Sequence, residues 1–270
     1  MKDQHASFTS FAALFRKATG GSEPFPYQVR FAESDELPEL VHAPTGAGKT
    51  ATAVLGWLWR HRYLDKPTPR RLVYCLPMRV LVEQTREAVR HWLTNLGLAD
   101  EVAVHVLMGG EAVEEWDLYP EKPAILIGTQ DMLLSRALNR GYGMSRYRWP
   151  LHFALLNNDA LWVLDEIQLM GAGLATSTQL QAFREALGVY GVAETIWMSA
   201  TLLPEWLASV DYRNRVEPEL KLQILTLDPE RDYVAEGFRE RWKATKPLGP
   251  AVPPAQADAA GGAGNSPAQP

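Results

Sequence analysis

The chain has 270 residues, of which 46% are apolar and 22% are charged, as in an ordinary globular protein. That length holds one domain, alone or with a tail. The formal net charge of −5 gives no general indication of nucleic-acid binding, although a local basic face is compatible with it. The single cysteine, Cys75, excludes an internal disulfide framework and any metal site with several cysteine ligands. Its apolar neighbours predict a buried strand residue.

No stretch approaches eighteen consecutive apolar residues, so the sequence predicts no membrane-spanning helix and no membrane partner. Near the start, Phe8, Phe11, Leu14 and Phe15 recur at spacings of three and four, which are typical of an amphipathic helix. Residues 1–20 lack the continuous apolar core and the cleavage site of a secretory signal. We therefore expect a cytoplasmic protein.

Short apolar runs alternate with longer helical stretches between residues 39 and 202. This alternation predicts an α/β fold, in which helices cover both faces of a mostly parallel sheet and ligands bind at the carboxyl ends of the strands. The predicted strands are 39–43, 71–77, 102–107, 124–129, 161–167 and 195–199. The predicted helices are 50–63, 80–96, 131–139 and 174–187.

The last residues of the sequence have a different composition. Residues 250–270 comprise seven Ala, five Pro and three Gly among few other residue types, with no aromatic residue and no Lys or Arg. Such a segment buries too little apolar surface to offset the entropy of ordering it. We expect a folded domain over residues 1–245 and a disordered tail over residues 246–270.

A glycine-rich loop lies between the first predicted strand and the first long predicted helix. Residues 43–50 read Ala-Pro-Thr-Gly-Ala-Gly-Lys-Thr, with Ala43 where the usual phosphate-loop pattern has Gly. Gly46 and Gly48 permit a backbone that turns successive N–H groups toward one anion, and the following helix directs its positive end to the same point. Lys49 can reach the β- and γ-phosphates of ATP, and the Thr50 hydroxyl can bind Mg²⁺. The predicted nucleotide-binding residues of this loop are Thr45, Gly46, Ala47, Gly48, Lys49 and Thr50.

Two adjacent acids end the fifth predicted strand. Residues 161–168 read Leu-Trp-Val-Leu-Asp-Glu-Ile-Gln, so Asp165 and Glu166 follow four apolar residues. In phosphate-loop enzymes an acid in this position holds Mg²⁺ and a second residue orients the attacking water. We assign Asp165 to Mg²⁺ and Glu166 to the general-base role. Lys49, Asp165 and Glu166 are therefore the predicted catalytic residues.

The order of these and further motifs resembles that of superfamily-two DEAD/DEAH helicases. Residues 24–28, Pro-Phe-Pro-Tyr-Gln, are similar to the adenine-reading Q motif, which implies that Gln28 contacts the adenine edge. The resemblance implies the first RecA-like lobe of such a motor. Residues 76–79 and 128–131 are similar to motifs Ia and Ib, which implies nucleic-acid contacts for Arg79 and Thr129. Residues 199–201, Ser-Ala-Thr, are similar to the motif that couples hydrolysis to strand movement, so Gln168, Ser199 and Thr201 are the predicted coupling residues.

Within that superfamily the amino-acid sequence of these motifs most resembles that of the type I CRISPR-associated helicase–nuclease, an antiviral defence enzyme. The similar segments are residues 24–28, residues 76–85 (Leu-Pro-Met-Arg-Val-Leu-Val-Glu-Gln-Thr) and residues 165–171 (Asp-Glu-Ile-Gln-Leu-Met-Gly). This resemblance implies single-stranded DNA as substrate and a surveillance complex as partner. The family's second lobe and its HD nuclease have no counterpart in the sequence, so we expect a shortened or split helicase that is weakly active alone. A chain carrying the second lobe and the HD nuclease is then a candidate partner.

Two other interpretations remain open at this stage. The chain can be a non-enzymatic module that holds nucleotide or DNA and docks on a partner supplying the second lobe. It can also be another phosphate-loop enzyme, such as a transporter ATPase or a small-molecule kinase, although the ordered set of motifs disfavours this. An Arg-rich stretch can line a nucleic-acid groove or form a solvated face: Arg136, Arg140, Arg146 and Arg148.

Overall fold

The computed structural model describes residues 8–109, 116–141, 144–201, 204–216 and 222–232. Seven strands form one sheet in the order β3-β4-β2-β5-β6-β1-β7, and every pairing recorded among them is parallel. The predicted α/β fold with a parallel sheet is thus confirmed. The strands are β1 (Leu40–His42), β2 (Arg71–Leu76), β3 (Ala103–Leu107), β4 (Ala124–Thr129), β5 (Ala160–Leu164), β6 (Ala193–Ser199) and β7 (Ile224–Thr226).

Helices pack on both faces of this sheet. Along β2, Leu72, Tyr74 and Leu76 face one apolar core, whereas Val73 and Cys75 face the other, because successive strand residues point to opposite faces. The first core contains residues of α2, α3 and α4, and the second contains residues of α5, α6 and α7. The helices are α1 (Phe11–Thr19), α2 (Pro26–Glu33), α3 (Lys49–Tyr63), α4 (Arg79–Leu96), α5 (Gln130–Ala137), α6 (Trp149–Asn157), α7 (Ala172–Leu187) and α8 (Arg213–Val216).

The predicted amphipathic helix near the start of the sequence is α1. Its residues Phe11, Leu14 and Phe15 are buried in a third cluster, together with Leu55 and Trp59 of α3. Because α3 lies between α1 and the sheet core, α1 forms an outer layer. It fixes the helix that begins at the glycine-rich loop.

Several elements were not predicted, among them the four-residue helix α8. The short helix α2 begins at a proline, and α6 is apolar on most sides and so lacks the amphipathic period. The strand β7 has only three residues, partly exposed, and forms by pairing with β1. The expected disordered tail lies outside the described residues. None of the described helices is long and apolar enough to cross a membrane.

The strand order determines which loops are neighbours. β6 lies between β1 and β5, so the loops after β1 and β5 leave the sheet on either side of the end of β6. All three strands are parallel, and their carboxyl ends therefore meet at one edge. The glycine-rich loop, the acidic pair and Ser199 are brought to that edge.

Candidate functional site

The glycine-rich loop leaves β1 at His42 and enters α3 at Lys49. Gly46 and Gly48 have φ angles of 84° and 79°, a left-handed backbone that side chains rarely permit. Thr45 and Gly46 are exposed, whereas the side chain of Lys49 is buried. The loop therefore presents its backbone to solvent at the positive end of α3, as the sequence predicts for a phosphate cradle.

The two acids meet this loop from β5. Glu166 Oε1 lies 3.3 Å from Lys49 Nζ, and Lys49 Nζ also donates to the Ala43 carbonyl at 3.4 Å. Glu166 has a φ angle of 55°, which is uncommon for a residue with a side chain. Backbone strain of this kind is concentrated at functional sites, where the surroundings hold it in place. Here it turns the Glu166 carboxylate toward the phosphate-loop lysine.

Asp165 is buried beneath this ion pair. Its carboxylate accepts hydrogen bonds from the Tyr74 hydroxyl at 2.8 Å and from the Glu166 backbone N–H at 2.9 Å. Burial raises the pKa of Asp165, and the nearby Lys49 charge opposes that rise. Burial raises the pKa of the Tyr74 phenol well above its usual value, and the nearby Thr50 hydroxyl opposes that rise. The hydroxyl that holds Asp165 is thus neutral.

The oxygens of Thr50 and Asp165 fit a magnesium ion, because hydroxyl and carboxylate groups are the ligands that this hard cation prefers. They lie beside the lysine predicted to hold the phosphates. In the described ranges, this site included, no group of three or more His, Cys, Asp and Glu side chains is arranged to hold a metal ion. A metal here would be shared between the protein and the phosphates of a nucleotide.

A chain of hydrogen bonds joins the acids to β6. Gln168 donates to Glu166 Oε2 at 2.6 Å and accepts from the Ser199 hydroxyl at 2.7 Å. The Thr201 backbone N–H donates to the Ser199 hydroxyl at 3.1 Å. The three residues predicted to couple hydrolysis to movement therefore form one connected path from Lys49 and Glu166 to the end of β6.

The Q-like segment braces the glycine-rich loop from below. Gln28 is buried, and its side-chain nitrogen donates to the Gly48 carbonyl at 3.1 Å and to the Thr52 hydroxyl at 3.0 Å. Its side-chain oxygen accepts from the Phe25 N–H, and the Tyr27 hydroxyl donates to the Ala47 carbonyl at 2.7 Å. The side-chain N–H groups of Gln28 thus bond to the loop and to α3. The sequence predicted an adenine contact for Gln28 but not this support of the loop.

Asp232, which the sequence does not single out, holds the start of α2. This fully buried residue accepts from the Tyr27 backbone N–H at 2.6 Å and pairs with Arg30 at 2.9 Å. It also accepts from the Asp228 N–H at 2.7 Å. The turn after β7 therefore fixes the orientation of the Q-like segment.

The two predicted nucleic-acid contacts lie at the same edge of the sheet. Arg79 is exposed at the first position of α4, just beyond β2, and Thr129 is the last residue of β4. β2 and β4 pair directly, with Leu76 opposite Thr129. Arg79 is available to a phosphate, whereas Thr129 is largely buried.

The Arg-rich stretch does not form one basic face. Arg136 is buried, and Arg148 forms an ion pair with the buried carboxylate of Asp117. Arg140 and Arg146 are exposed. Half of the stretch supports the packing of α5 and α6, so both alternatives, the groove and the solvated face, are wrong for Arg136.

Comparison with known proteins identifies the family. Residues 32–210 match the family model of the DEAD/DEAH box helicases, which is more than half of the chain. The chain belongs to this family. Its matched segment includes the glycine-rich loop, the acidic pair and the Ser-Ala-Thr motif, and it ends before Asp232.

One relative and two solved structures show what the chain is similar to. The chain is 28% identical over 203 residues to DEAD-box ATP-dependent RNA helicase 29 of Arabidopsis thaliana, which covers 72% of this chain and 22% of the relative. The Mycobacterium smegmatis helicase Lhr, bound to single-stranded DNA and AMP-PNP, superposes with a TM-score of 0.55 at 23% identity, covering 81% and 28% of the two chains. Dbp5 of S. cerevisiae, bound to RNA and ADP BeF3, superposes with a TM-score of 0.52 at 17% identity, covering 81% and 49%. The chain thus spans half or less of the length of each of these proteins.

The bracing geometry predicts the effect of Gln28→Leu. The substitution removes the donor to the Gly48 carbonyl, so the loop should lose order and the affinity for both ATP and tripolyphosphate should fall about tenfold. Titration calorimetry with the two ligands measures this. Gln181→Leu is the matched control, since Gln181 is also buried but bonds Arg184 and Thr195 instead. A loss of ATP affinity with tripolyphosphate affinity intact would show that Gln28 reads the base and does not brace the loop.

Proposed function

We propose that this chain is the Mg²⁺–ATP-binding first lobe of an ATP-dependent helicase. The observation that carries the proposal is the meeting of Lys49 with Glu166 at 3.3 Å, above the Asp165 carboxylate and beside Thr50. The family membership supports a helicase rather than a transporter ATPase or a small-molecule kinase.

Each residue of the site has a role in this proposal. The backbone N–H groups from Thr45 to Thr50 and the Lys49 ammonium bind the phosphates. Thr50 and Asp165 hold Mg²⁺, which neutralises charge developing on the phosphates.

Glu166 is the general base of the proposal. When a γ-phosphate pairs with Lys49, the Glu166 carboxylate loses that partner and becomes free to accept a proton from the attacking water. A shift of the Glu166 carboxylate is then transmitted to Thr201 at the end of β6 through the hydrogen bonds of Gln168 and Ser199.

A second lobe would complete the motor. Arginines supplied against the transferring phosphate raise hydrolysis rates by about 10³- to 10⁵-fold. In the described residues, Arg60, Arg71 and Arg184 donate to backbone and side-chain oxygens of other segments, away from the glycine-rich loop. We expect this lobe by itself to bind ATP weakly and to hydrolyse it slowly.

The finer assignment that we propose is the CRISPR-associated interference helicase of the cytoplasm. This assignment is supported by the amino-acid sequence of residues 24–28, 76–85 and 165–171. Single-stranded DNA is then the substrate, and a surveillance complex is the partner. Arg79 and Thr129 at the carboxyl edge of the sheet are the proposed contacts to the strand.

The charge on Lys49 provides the direct test of nucleotide binding. Lys49→Ala removes the ammonium that pairs with the phosphates, so the affinity for ATP with Mg²⁺ should fall by about 100-fold. Titration calorimetry measures the affinity, and Lys66→Ala is the control because Lys66 pairs with Asp35, near the start of β1. Equal affinity in the wild type and Lys49→Ala would refute the proposal.

A non-enzymatic nucleotide- or DNA-binding module is the second candidate. The engagement of Lys49 by Glu166 favours it, because a lysine already paired binds phosphate less strongly. An ATPase assay with and without single-stranded DNA separates the candidates. A motor lobe should show slow hydrolysis that DNA stimulates and that Glu166→Gln abolishes. A module should show the same background rate under all of these conditions.

A further inference from the structure

Tyr74 is a buried residue of β2 that no motif includes. Its side chain lies on the face of the sheet that also buries Ala43 and Ala47 of the glycine-rich loop. The ring fills this core as a phenylalanine would, so the ring alone does not explain a tyrosine here. Burying a hydroxyl costs free energy unless it forms hydrogen bonds, and the partner of this hydroxyl is therefore informative.

The partner is a predicted magnesium ligand. The Tyr74 hydroxyl donates to Asp165 Oδ2 at 2.8 Å, and the Glu166 backbone N–H donates to Asp165 Oδ1 at 2.9 Å. A hydroxyl has one hydrogen, and Tyr74 gives it to this carboxylate. Both oxygens of Asp165 are thus fixed in orientation, and each keeps a lone pair for a cation or for a water bound to it.

We propose that Tyr74 is a positioning residue, which sets the orientation of Asp165 for binding Mg²⁺ with the nucleotide. Its hydroxyl holds one carboxylate oxygen at the end of β5 from the neighbouring strand β2. This inference rests on the proposed function of the site. It extends that function to a strand residue that touches neither the nucleotide nor the metal.

Another buried tyrosine gives a matched control. The Tyr212 hydroxyl donates to the Glu39 carboxylate at 3.0 Å, and its ring is also fully buried. Glu39 precedes β1, so Tyr212 lies near the opposite edge of the sheet from the glycine-rich loop. A tyrosine-to-phenylalanine change removes one buried hydroxyl and leaves one carboxylate without its phenol donor at either position.

The test measures nucleotide affinity with and without the metal. The dissociation constant of a fluorescent ATP analogue is determined in Mg²⁺ and in EDTA for the wild type, Tyr74→Phe and Tyr212→Phe. Tyr74→Phe should weaken binding in Mg²⁺ about tenfold and change binding in EDTA less than about twofold. Tyr212→Phe should change neither, and the thermal unfolding of both variants checks that they are folded.

A double substitution tests whether Tyr74 acts through Asp165. Tyr74→Phe in the Asp165→Asn background should cost little further affinity in Mg²⁺, because residues that act as one unit are not additive. Full additivity of the two effects would contradict a positioning role through Asp165.

A measurement on the unaltered chain covers the case in which Tyr74→Phe does not fold. With tyrosine labelled at the ring carbon that bears the hydroxyl, adding Mg²⁺ to the ATP-analogue complex should shift the Tyr74 resonance and leave that of Tyr212 in place. An unchanged Tyr74 resonance overturns the inference. So does a folded Tyr74→Phe with wild-type affinity in Mg²⁺, which leaves the proposed function standing. A wild type that binds no nucleotide in Mg²⁺ overturns both.

Discussion

The ion pair between Lys49 and Glu166, 3.3 Å apart, is the contact on which the site depends. The lysine side chain is 5% exposed and the glutamate 21% exposed, so both charges have lost much of their hydration. Such a pair stabilises a fold weakly, because desolvation offsets most of the attraction. Its position between a phosphate loop and a strand-end acid is better explained by function. A γ-phosphate would compete with Glu166 for Lys49, and binding would then release the acid.

The rest of the site holds these two charges in place. Glu166 keeps a left-handed backbone, and Asp165 is anchored by Tyr74 and by the Glu166 N–H. On the other side, the loop is anchored by Gln28 and Tyr27, which Asp232 orients in turn. Apart from the bond from the Glu166 N–H, each of these contacts joins residues at least 20 positions apart in sequence. The parallel sheet makes them neighbours by placing β6 between β1 and β5.

The sequence predicts the parts of this arrangement that are local. Two motifs can be recognised from eight consecutive residues each. They are the glycine-rich loop between a strand and a helix, and the two acids after an apolar run. The sheet and the strands β1 to β6 are likewise predicted from short apolar runs bounded by Gly, Pro or Asp. Tyr74 and Asp232 could not be identified in this way, because their roles depend on hydrogen bonds to residues of other elements. The one signal for Tyr74 is a hydroxyl-bearing residue within the apolar run 72–76. The burial of Arg136 and the hydrogen bonds from Gln28 to the glycine-rich loop likewise depend on tertiary packing, which local sequence does not show.

A crystal structure with AMP-PNP and Mn²⁺ in place of Mg²⁺ tests the central claim most directly, because the anomalous signal locates the metal independently of refinement. The account predicts one Mn²⁺ bound by Thr50 and held by Asp165, directly or through water, with the γ-phosphate against Lys49 and the Glu166 carboxylate withdrawn from it. Mn²⁺ and nucleotide at another edge of the sheet, with the Lys49–Glu166 pair intact, would contradict it.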